Sequence, residues 1–117
     1  MLTVYGLKNC DTCRKARKWL DSQGIAHEFR DLRDAPAAAS QWADWLKELG
    51  RDTLINRRGT TWRGLPEAET AELDDDKAAR LLAAHPALMK RPLFDFGDSL
   101  LVGFAKAQQE AIASKAG

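Results

Sequence analysis

The sequence contains little cysteine, no excess of charge of one sign and no long hydrophobic run. Its 117 residues include two cysteines, whereas a secreted disulfide scaffold carries more of them, spread along the chain. Eighteen basic and seventeen acidic residues give a formal net charge of +1, which gives no support for a nucleic-acid partner. No apolar run approaches the roughly 20 residues of a membrane span. Because the start of the chain also lacks the features of a signal peptide, we expect a cytoplasmic protein with no membrane partner.

The rest of the composition is that of one globular domain. Hydrophobic residues make up 44% and charged residues 30% of the chain, and this length suits a single compact domain. Apolar residues recur at strand or helix spacing. Glycine, proline and aspartate residues between these segments indicate turns and helix ends. The pattern predicts strand Leu2–Tyr5, helix Asp11–Ser22, strand Ile25–Arg30, a helix with Trp42 and Trp45 on its buried face, a helix from Asp74 to His85, strands Leu93–Phe96 and Leu100–Val102, and helix Phe104–Ala116.

The order of these elements predicts an α/β fold. A β-α-β unit at the start and a β-β-α unit at the end form the thioredoxin-like arrangement. We assign residues 1–117 to a single domain, with its core in 1–33 and 86–117. Residues 34–85 then form a helical insertion in the middle of the chain.

Cys10 and Cys13 form a C-x-x-C motif at the junction of the first strand and the first helix. The N–H groups and the dipole at a helix start stabilise an anion, so a thiolate placed there has a lowered pKa. Lys8 and Arg14 add positive charge, and the Thr12 hydroxyl is a candidate donor to a bound anion. Cys10 is therefore the candidate nucleophile, and Cys13 is a candidate for attack on a mixed disulfide at Cys10.

Two other interpretations of the cysteine pair stay open. The pair could be two unreactive small residues at a helix start. It could also bind zinc, but His27 and His85 do not have the spacing of a zinc-finger histidine pair, so we expect no metal. A C-x-x-C motif beside a β-α-β unit favours redox chemistry instead.

The sequence resembles the arsenate reductase (ArsC)/Spx family of thioredoxin-like proteins, and within it the YffB-type ArsC-like reductases. The resemblance covers nearly the whole chain. It rests on four separated motifs in the right order: Val4–Ala16, Leu54–Arg63, His85–Pro86 followed by Lys90–Leu93, and Val102–Phe104.

The resemblance implies a four-stranded mixed sheet with a helical insertion. It assigns the catalytic role to Cys10 and matches Arg91 and Pro92 to the family's arginine–proline pair, in which the proline is typically cis. Arg58 matches an arginine of the middle motif. Arg58 and Arg91 are then the residues that hold an anionic substrate through bidentate hydrogen bonds.

The sequence departs from classical arsenate reductases, which surround their cysteine with three arginines. Val102 stands at the last of these positions, and Asn56 stands at the nearest match to another, so that Arg58 has to substitute. Fewer fixed positive charges would hold an arsenate oxyanion, which weakens arsenate as the substrate. Classical members also have a serine where Cys13 stands, whereas Spx proteins have the cysteine.

The resemblance and the cysteine pair together predict a thiol–disulfide oxidoreductase that depends on glutathione. Glutathione is expected as a co-substrate and not as a bound cofactor, and either it or Cys13 resolves the mixed disulfide on Cys10. Glutaredoxin is an alternative protein partner. Two other functions stay open: arsenate reductase proper, and an Spx-like regulator whose Cys10–Cys13 disulfide switches binding to RNA polymerase.

Overall fold

The computed structural model describes residues 2–116. The chain divides into two compact units, one within Met1–Ala35 and Arg91–Gly117 and the other within Pro36–Lys90. In the described residues, no helix is both long and apolar enough to cross a membrane. The elements in chain order are β1 (Leu2–Gly6), α1 (Asp11–Ser22), β2 (His27–Asp31), α2 (Ala39–Leu49), α3 (Arg51–Leu54), α4 (Thr60–Arg63), α5 (Glu67–Thr70), α6 (Asp75–Ala84), a 3₁₀ turn (Pro86–Leu88), β3 (Leu93–Asp95), β4 (Leu100–Val102) and α7 (Lys106–Ala116).

Four strands of the first unit form one mixed sheet in the order β2-β1-β3-β4. β1 runs parallel to β2, with Val4 opposite Phe29, and antiparallel to β3, with Val4 opposite Phe94. β3 and β4 form an antiparallel hairpin. Since two parallel strands need a crossover connection, α1 accounts for the β1–β2 pair. The predicted α/β fold, with a four-stranded mixed sheet and a helical middle segment, is confirmed.

One face of the sheet carries the hydrophobic core of the first unit. Alternation along β1 places Leu2 and Val4 on the buried face and Thr3 and Tyr5 on the other. α1 buries one side of the helix, formed by Cys13, Ala16 and Leu20 at the spacing that the sequence predicts. The buried cluster consists of Leu2, Val4, Ala16, Leu20, Phe94 and Ile112.

The second unit has a core between α2 and α6, which pack against each other. α2 buries Trp42 and Trp45, whose rings meet edge to face with centroids 5.0 Å apart. α6 buries Leu81 and Leu82 on its own apolar face. The interpretation of the two tryptophans as core residues is confirmed.

Two elements begin two residues later than the sequence predicts. The N–H of Ile25 donates to the carbonyl of Leu20 at 3.0 Å, so Ile25 closes the end of α1 and β2 starts at His27. The N–H of Ala105 donates to the Gln108 side chain at 2.9 Å, which fixes the start of α7 at Lys106. In both cases a hydrogen bond outside the regular element sets the boundary.

The second unit spans Pro36–Lys90, whereas the predicted insertion covers about residues 34–85. Backbone hydrogen bonds explain the later end. The N–H of Lys90 donates to the carbonyl of Leu54 at 2.8 Å, and the N–H of Asn56 donates to that of Leu88 at 2.7 Å. These bonds tie the segment after α6 to the end of α3.

The N-cap of α6 provides a test of the second unit. The Asp74 carboxylate accepts the N–H of Lys77 at 2.8 Å. We expect Asp74→Ala to lower the free energy of unfolding by about 1 kcal/mol, because an N–H at the helix start loses its acceptor. Urea denaturation followed by tryptophan fluorescence measures the change. Asp76→Ala is the matched control, since it removes a first-turn carboxylate that is not the cap; an equal loss in both variants would contradict the assignment.

Candidate active site

Cys10 lies at the start of α1, directly after the loop that leaves β1. It is the N-cap residue, with an extended backbone (φ −93°, ψ 121°), and its carbonyl accepts the N–H of Arg14 at 3.0 Å. Its own N–H donates to the carbonyl of Leu7 at 3.1 Å, which closes a turn before the helix. The side chain is partly exposed. The thiol thus occupies the helix start at which the sequence predicts it.

The groups around the Cys10 sulfur are the backbone N–H of Cys13, the Arg91 side chain and the Cys13 thiol, and hydrogen bonding from each of them acts to lower the pKa of Cys10. Burial acts to raise the pKa of Cys10, but these hydrogen bonds and the positive charge of Arg91 act in the opposite direction and prevail. The pKa of Cys10 is therefore lowered from its ordinary value, which increases the fraction of thiolate at neutral pH.

Cys13 has the opposite properties. Its side chain is fully buried, and burial raises the pKa of Cys13 to about 12. The negative charge of Cys10 raises the pKa further, while a hydrogen bond from the N–H of Leu7 only partly offsets both effects. Cys13 is consequently a neutral thiol at physiological pH, and its S–H group can donate to Cys10.

The burial of Cys13 depends on a close approach between α1 and the end of β1. A Cβ atom on Gly6 would lie 2.5 Å from the Cys13 sulfur and 3.5 Å from the Phe29 ring. Atoms cannot remain at the shorter of these distances, so residue 6 has to be glycine while Cys13 keeps this position. The first turn of α1 therefore packs directly on the backbone of β1.

Arg91 and Pro92 precede β3, and the peptide bond between them is cis, as the family resemblance implies. Pro92 is buried, and its carbonyl accepts the N–H of Gly103 at 2.9 Å. The guanidinium of Arg91 is close enough to Cys10 for its positive charge to lower the pKa of that thiol. The structure thus brings together Cys10, Cys13, Arg91 and Pro92 of the predicted site.

The other charged residues predicted near the thiol have partners of their own. The Lys8 ammonium lies 2.5 Å from a carboxylate oxygen of Asp34, and Arg14 forms an ion pair with Asp11. Thr12 is exposed in the first turn of α1. Both cations therefore already have a carboxylate partner, and their binding roles, like that of Thr12, stay predictions.

Arg58 belongs to the second unit, where its side chain is exposed. Its backbone N–H donates to the Asn56 side chain at 3.1 Å, and its carbonyl accepts from the Arg63 guanidinium at 2.6 Å. These bonds order the backbone and leave the guanidinium exposed to solvent. The role that the family resemblance gives to Arg58 stays a prediction.

The two histidines of the zinc interpretation lie in different units. The Nδ1 atom of His27, in β2, lies 2.9 Å from the carbonyl oxygen of Ile25, whereas His85 follows the last turn of α6. Within residues 2–116, no group of three or more histidine, cysteine, aspartate or glutamate residues is arranged to hold a metal ion.

Asp31 is a site component that the sequence analysis missed. It ends β2, and its buried carboxylate accepts the N–H of Lys8 at 2.7 Å in the loop before Cys10. The same carboxylate accepts the N–H groups of Arg33 and Asp34. An aspartate at the end of a strand is typical of such a local turn, in which its side chain accepts the backbone N–H groups that follow. No local pattern indicates the bond to Lys8, which is 23 residues away.

The contact between Gly6 and Cys13 can be tested with a double-mutant cycle. We expect Gly6→Ala to destabilise the protein by about 1–3 kcal/mol, because the added methyl group overlaps a buried sulfur. Adding Cys13→Ala removes that sulfur and should recover part of the loss. Urea denaturation of the two single variants and the double variant measures the coupling. Strictly additive losses would contradict the assigned contact.

Comparison with known proteins identifies the family that the chain is similar to. The sequence matches the ArsC family over residues 5–112. An uncharacterised protein of Haemophilus influenzae is 40% identical over 111 residues, which cover 95% of this chain and 97% of that protein. A solved structure of a YffB protein has 39% identity and a TM-score of 0.92, with 100% of both chains covered. The global transcriptional regulator Spx of Bacillus subtilis is 32% identical over 107 residues, which cover 89% of this chain and 80% of Spx.

The family match extends over most of the chain, from β1 into α7, and includes Cys10, Cys13, Arg91 and Pro92. The alignments with the Haemophilus influenzae protein and with the YffB structure cover nearly the whole length of both proteins. The chain belongs to the ArsC family.

Proposed function

We propose that this protein is a thiol–disulfide oxidoreductase that reduces glutathione mixed disulfides, with Cys10 as the nucleophile and glutathione as the electron donor. The ArsC family, to which the chain belongs, includes reductases. The contrast between the two thiols carries the proposal. Cys10 is partly exposed with a lowered pKa, whereas Cys13 is buried with a pKa of about 12. A nucleophilic thiol has to be both ionised and accessible, and the lowered pKa and partial exposure of Cys10 favour it over Cys13 on both counts.

In the first step, the Cys10 thiolate attacks the glutathione sulfur of the mixed disulfide. The substrate disulfide breaks, a new disulfide forms between Cys10 and glutathione, and the substrate leaves as a thiolate that takes a proton from water. The thiolate form of Cys10 needs no general base for this attack, because it already carries the negative charge. Arg91 lies against the Cys10 sulfur and can orient a carboxylate of glutathione through its guanidinium.

In the second step, a free glutathione thiolate attacks the glutathione sulfur of the mixed disulfide on Cys10. The bond to Cys10 breaks, the Cys10 thiolate is restored, and glutathione disulfide leaves. Each turnover thus consumes one glutathione and joins it to the one taken from the substrate. We place the reaction in the cytoplasm, where glutathione keeps thiols reduced. Glutaredoxin is the alternative donor for this step.

Cys13 is the alternative to glutathione as the resolving thiol. Its raised pKa of about 12 leaves little thiolate at neutral pH, and its sulfur is buried against Gly6. We therefore favour glutathione and assign a different role to Cys13. Its thiol donates a hydrogen bond to Cys10, which stabilises the Cys10 thiolate.

A redox-switched regulator is the second candidate function. Similarity to Spx favours it, as does the C-x-x-C motif of this chain, which the family resemblance also implies for Spx proteins. Exchange with glutathione disulfide would join Cys10 to Cys13 and release two molecules of glutathione, and the two thiols are close enough to affect each other's pKa. The disulfide would alter the start of α1 and thereby the surface offered to RNA polymerase. Arsenate reduction has less support, because Val102 in β4 supplies no positive charge.

The decisive experiment compares Cys10→Ser with Cys13→Ser. Turnover of a glutathionylated cysteine peptide is followed by coupling glutathione disulfide formation to glutathione reductase. We expect Cys10→Ser to reduce turnover to background, because the nucleophile is lost. We expect Cys13→Ser to keep turnover within about threefold of the wild type, because a serine hydroxyl can replace the hydrogen-bond donor.

The same variants decide between the candidate mechanisms. Full activity in Cys10→Ser would exclude the proposed nucleophile, and loss of activity in Cys13→Ser would make Cys13 the resolving thiol. Arsenate serves as a second substrate in the same assay, and preferential turnover of arsenate would favour the classical activity. Capture of RNA polymerase by only one redox state of the wild type, without peptide turnover, would instead favour the regulator.

A further inference from the structure

We propose that Asp31 is a positioning residue for Cys10: its carboxylate holds the loop from Leu7 to Cys10 in the conformation that presents the thiol at the start of α1. The inference rests on the proposed function, because it concerns the nucleophile of that reaction. Asp31 is the last residue of β2 and is only 8% exposed. Its carboxylate is therefore committed to groups of the protein and is not a surface charge.

The carboxylate divides its hydrogen bonds between two segments of the chain. Oδ2 accepts the N–H of Lys8 at 2.7 Å, in the loop after β1. Oδ1 accepts the N–H of Arg33 at 2.7 Å and that of Asp34 at 3.3 Å, in the turn after β2. One side chain thus fastens the loop before α1 to the turn that follows β2.

The fastened loop contacts both cysteines through Leu7. The carbonyl of Leu7 accepts the N–H of Cys10 at 3.1 Å, and the N–H of Leu7 donates to the Cys13 sulfur. Lys8 is the next residue, so any shift of its N–H carries the Leu7 peptide with it. Such a shift moves Cys10 relative to Arg91, whose side chain stabilises the thiolate.

The charge of Asp31 strengthens this attachment. Burial acts to raise the pKa of Asp31, but the three backbone N–H groups and the positive charge of Lys8 prevail and lower it. Asp31 is therefore ionised at every pH at which thiols titrate. Hydrogen bonds to a charged acceptor are stronger than those to a neutral one. The Lys8 side chain adds a second link to the same turn, since its ammonium lies 2.5 Å from the Asp34 carboxylate.

The test is Asp31→Asn, which separates the local turn from the bond to the loop. An asparagine oxygen can still accept the N–H groups of Arg33 and Asp34, but its NH₂ group cannot accept the N–H of Lys8. Asp95→Asn is the matched control, because Asp95 accepts the N–H of Gly97 at 2.8 Å in the β3–β4 turn. The readout is the rate at which iodoacetamide alkylates Cys10 as a function of pH, quantified by mass spectrometry.

We expect Asp31→Asn to shift the alkylation profile to higher pH and to slow alkylation at neutral pH by about three- to tenfold, because less Cys10 is thiolate. Asp95→Asn should reproduce the wild-type profile. A folded Asp31→Asn protein with the wild-type profile would overturn the inference while leaving the proposed function intact.

If Asp31→Asn does not fold, a second variant, Asp31→Ser, tests the same inference. The serine of Asp31→Ser can keep the local bond to the N–H of Arg33 but is too short for Lys8, so the same shift is expected from it. A wild-type profile in folded Asp31→Ser would overturn the inference. If wild-type Cys10 itself reacts like an ordinary thiol, the proposed function fails, and that result is distinct from a failure confined to Asp31.

Discussion

The contact between the first turn of α1 and the end of β1 is the constraint on which the rest of the site depends. The Cys13 sulfur occupies space that any side chain on residue 6 would fill, and glycine at that position permits the helix to pack on the strand backbone. Because α1 sits this close, Cys13 is fully buried. Cys10, one turn earlier, is left at the N-terminus of the helix, partly exposed and within reach of backbone N–H groups.

That packing gives two chemically identical groups opposite properties. Burial dominates at Cys13, whose pKa rises to about 12. At Cys10 the effect of burial is outweighed by the N–H of Cys13 and by Arg91. The hydrogen bond between the two thiols increases the difference, since it favours the thiolate of Cys10 and the protonated form of Cys13. The difference in pKa between the two thiols, on which the proposed roles of nucleophile and hydrogen-bond donor rest, therefore follows from their positions.

Local sequence pattern was sufficient for the elements that carry the thiols. A strand, a C-x-x-C motif and an amphipathic helix predicted the placement of Cys10, and the family resemblance supplied Arg91 and the cis bond to Pro92. The hydrogen bond from Lys8 to Asp31 joins residues far apart in sequence, and no periodicity reports such a pair. For the same reason, the sequence predicts that the charge of Lys8 is available to the thiol. In the structure, the Lys8 ammonium is paired with Asp34.

The central claim, that the two thiols differ in ionisation, is tested most directly by an ultraviolet titration of thiolate absorbance in the reduced protein. Difference spectra against Cys10→Ser isolate the signal of Cys10, and those against Cys13→Ser isolate the signal of Cys13, so that the absorbance of Tyr5 cancels. We expect Cys10 to ionise as the pH rises through a pKa below its ordinary value, and Cys13 to ionise only near pH 12. Ionisation of both thiols together near the free-cysteine value of about 8.5 would contradict it.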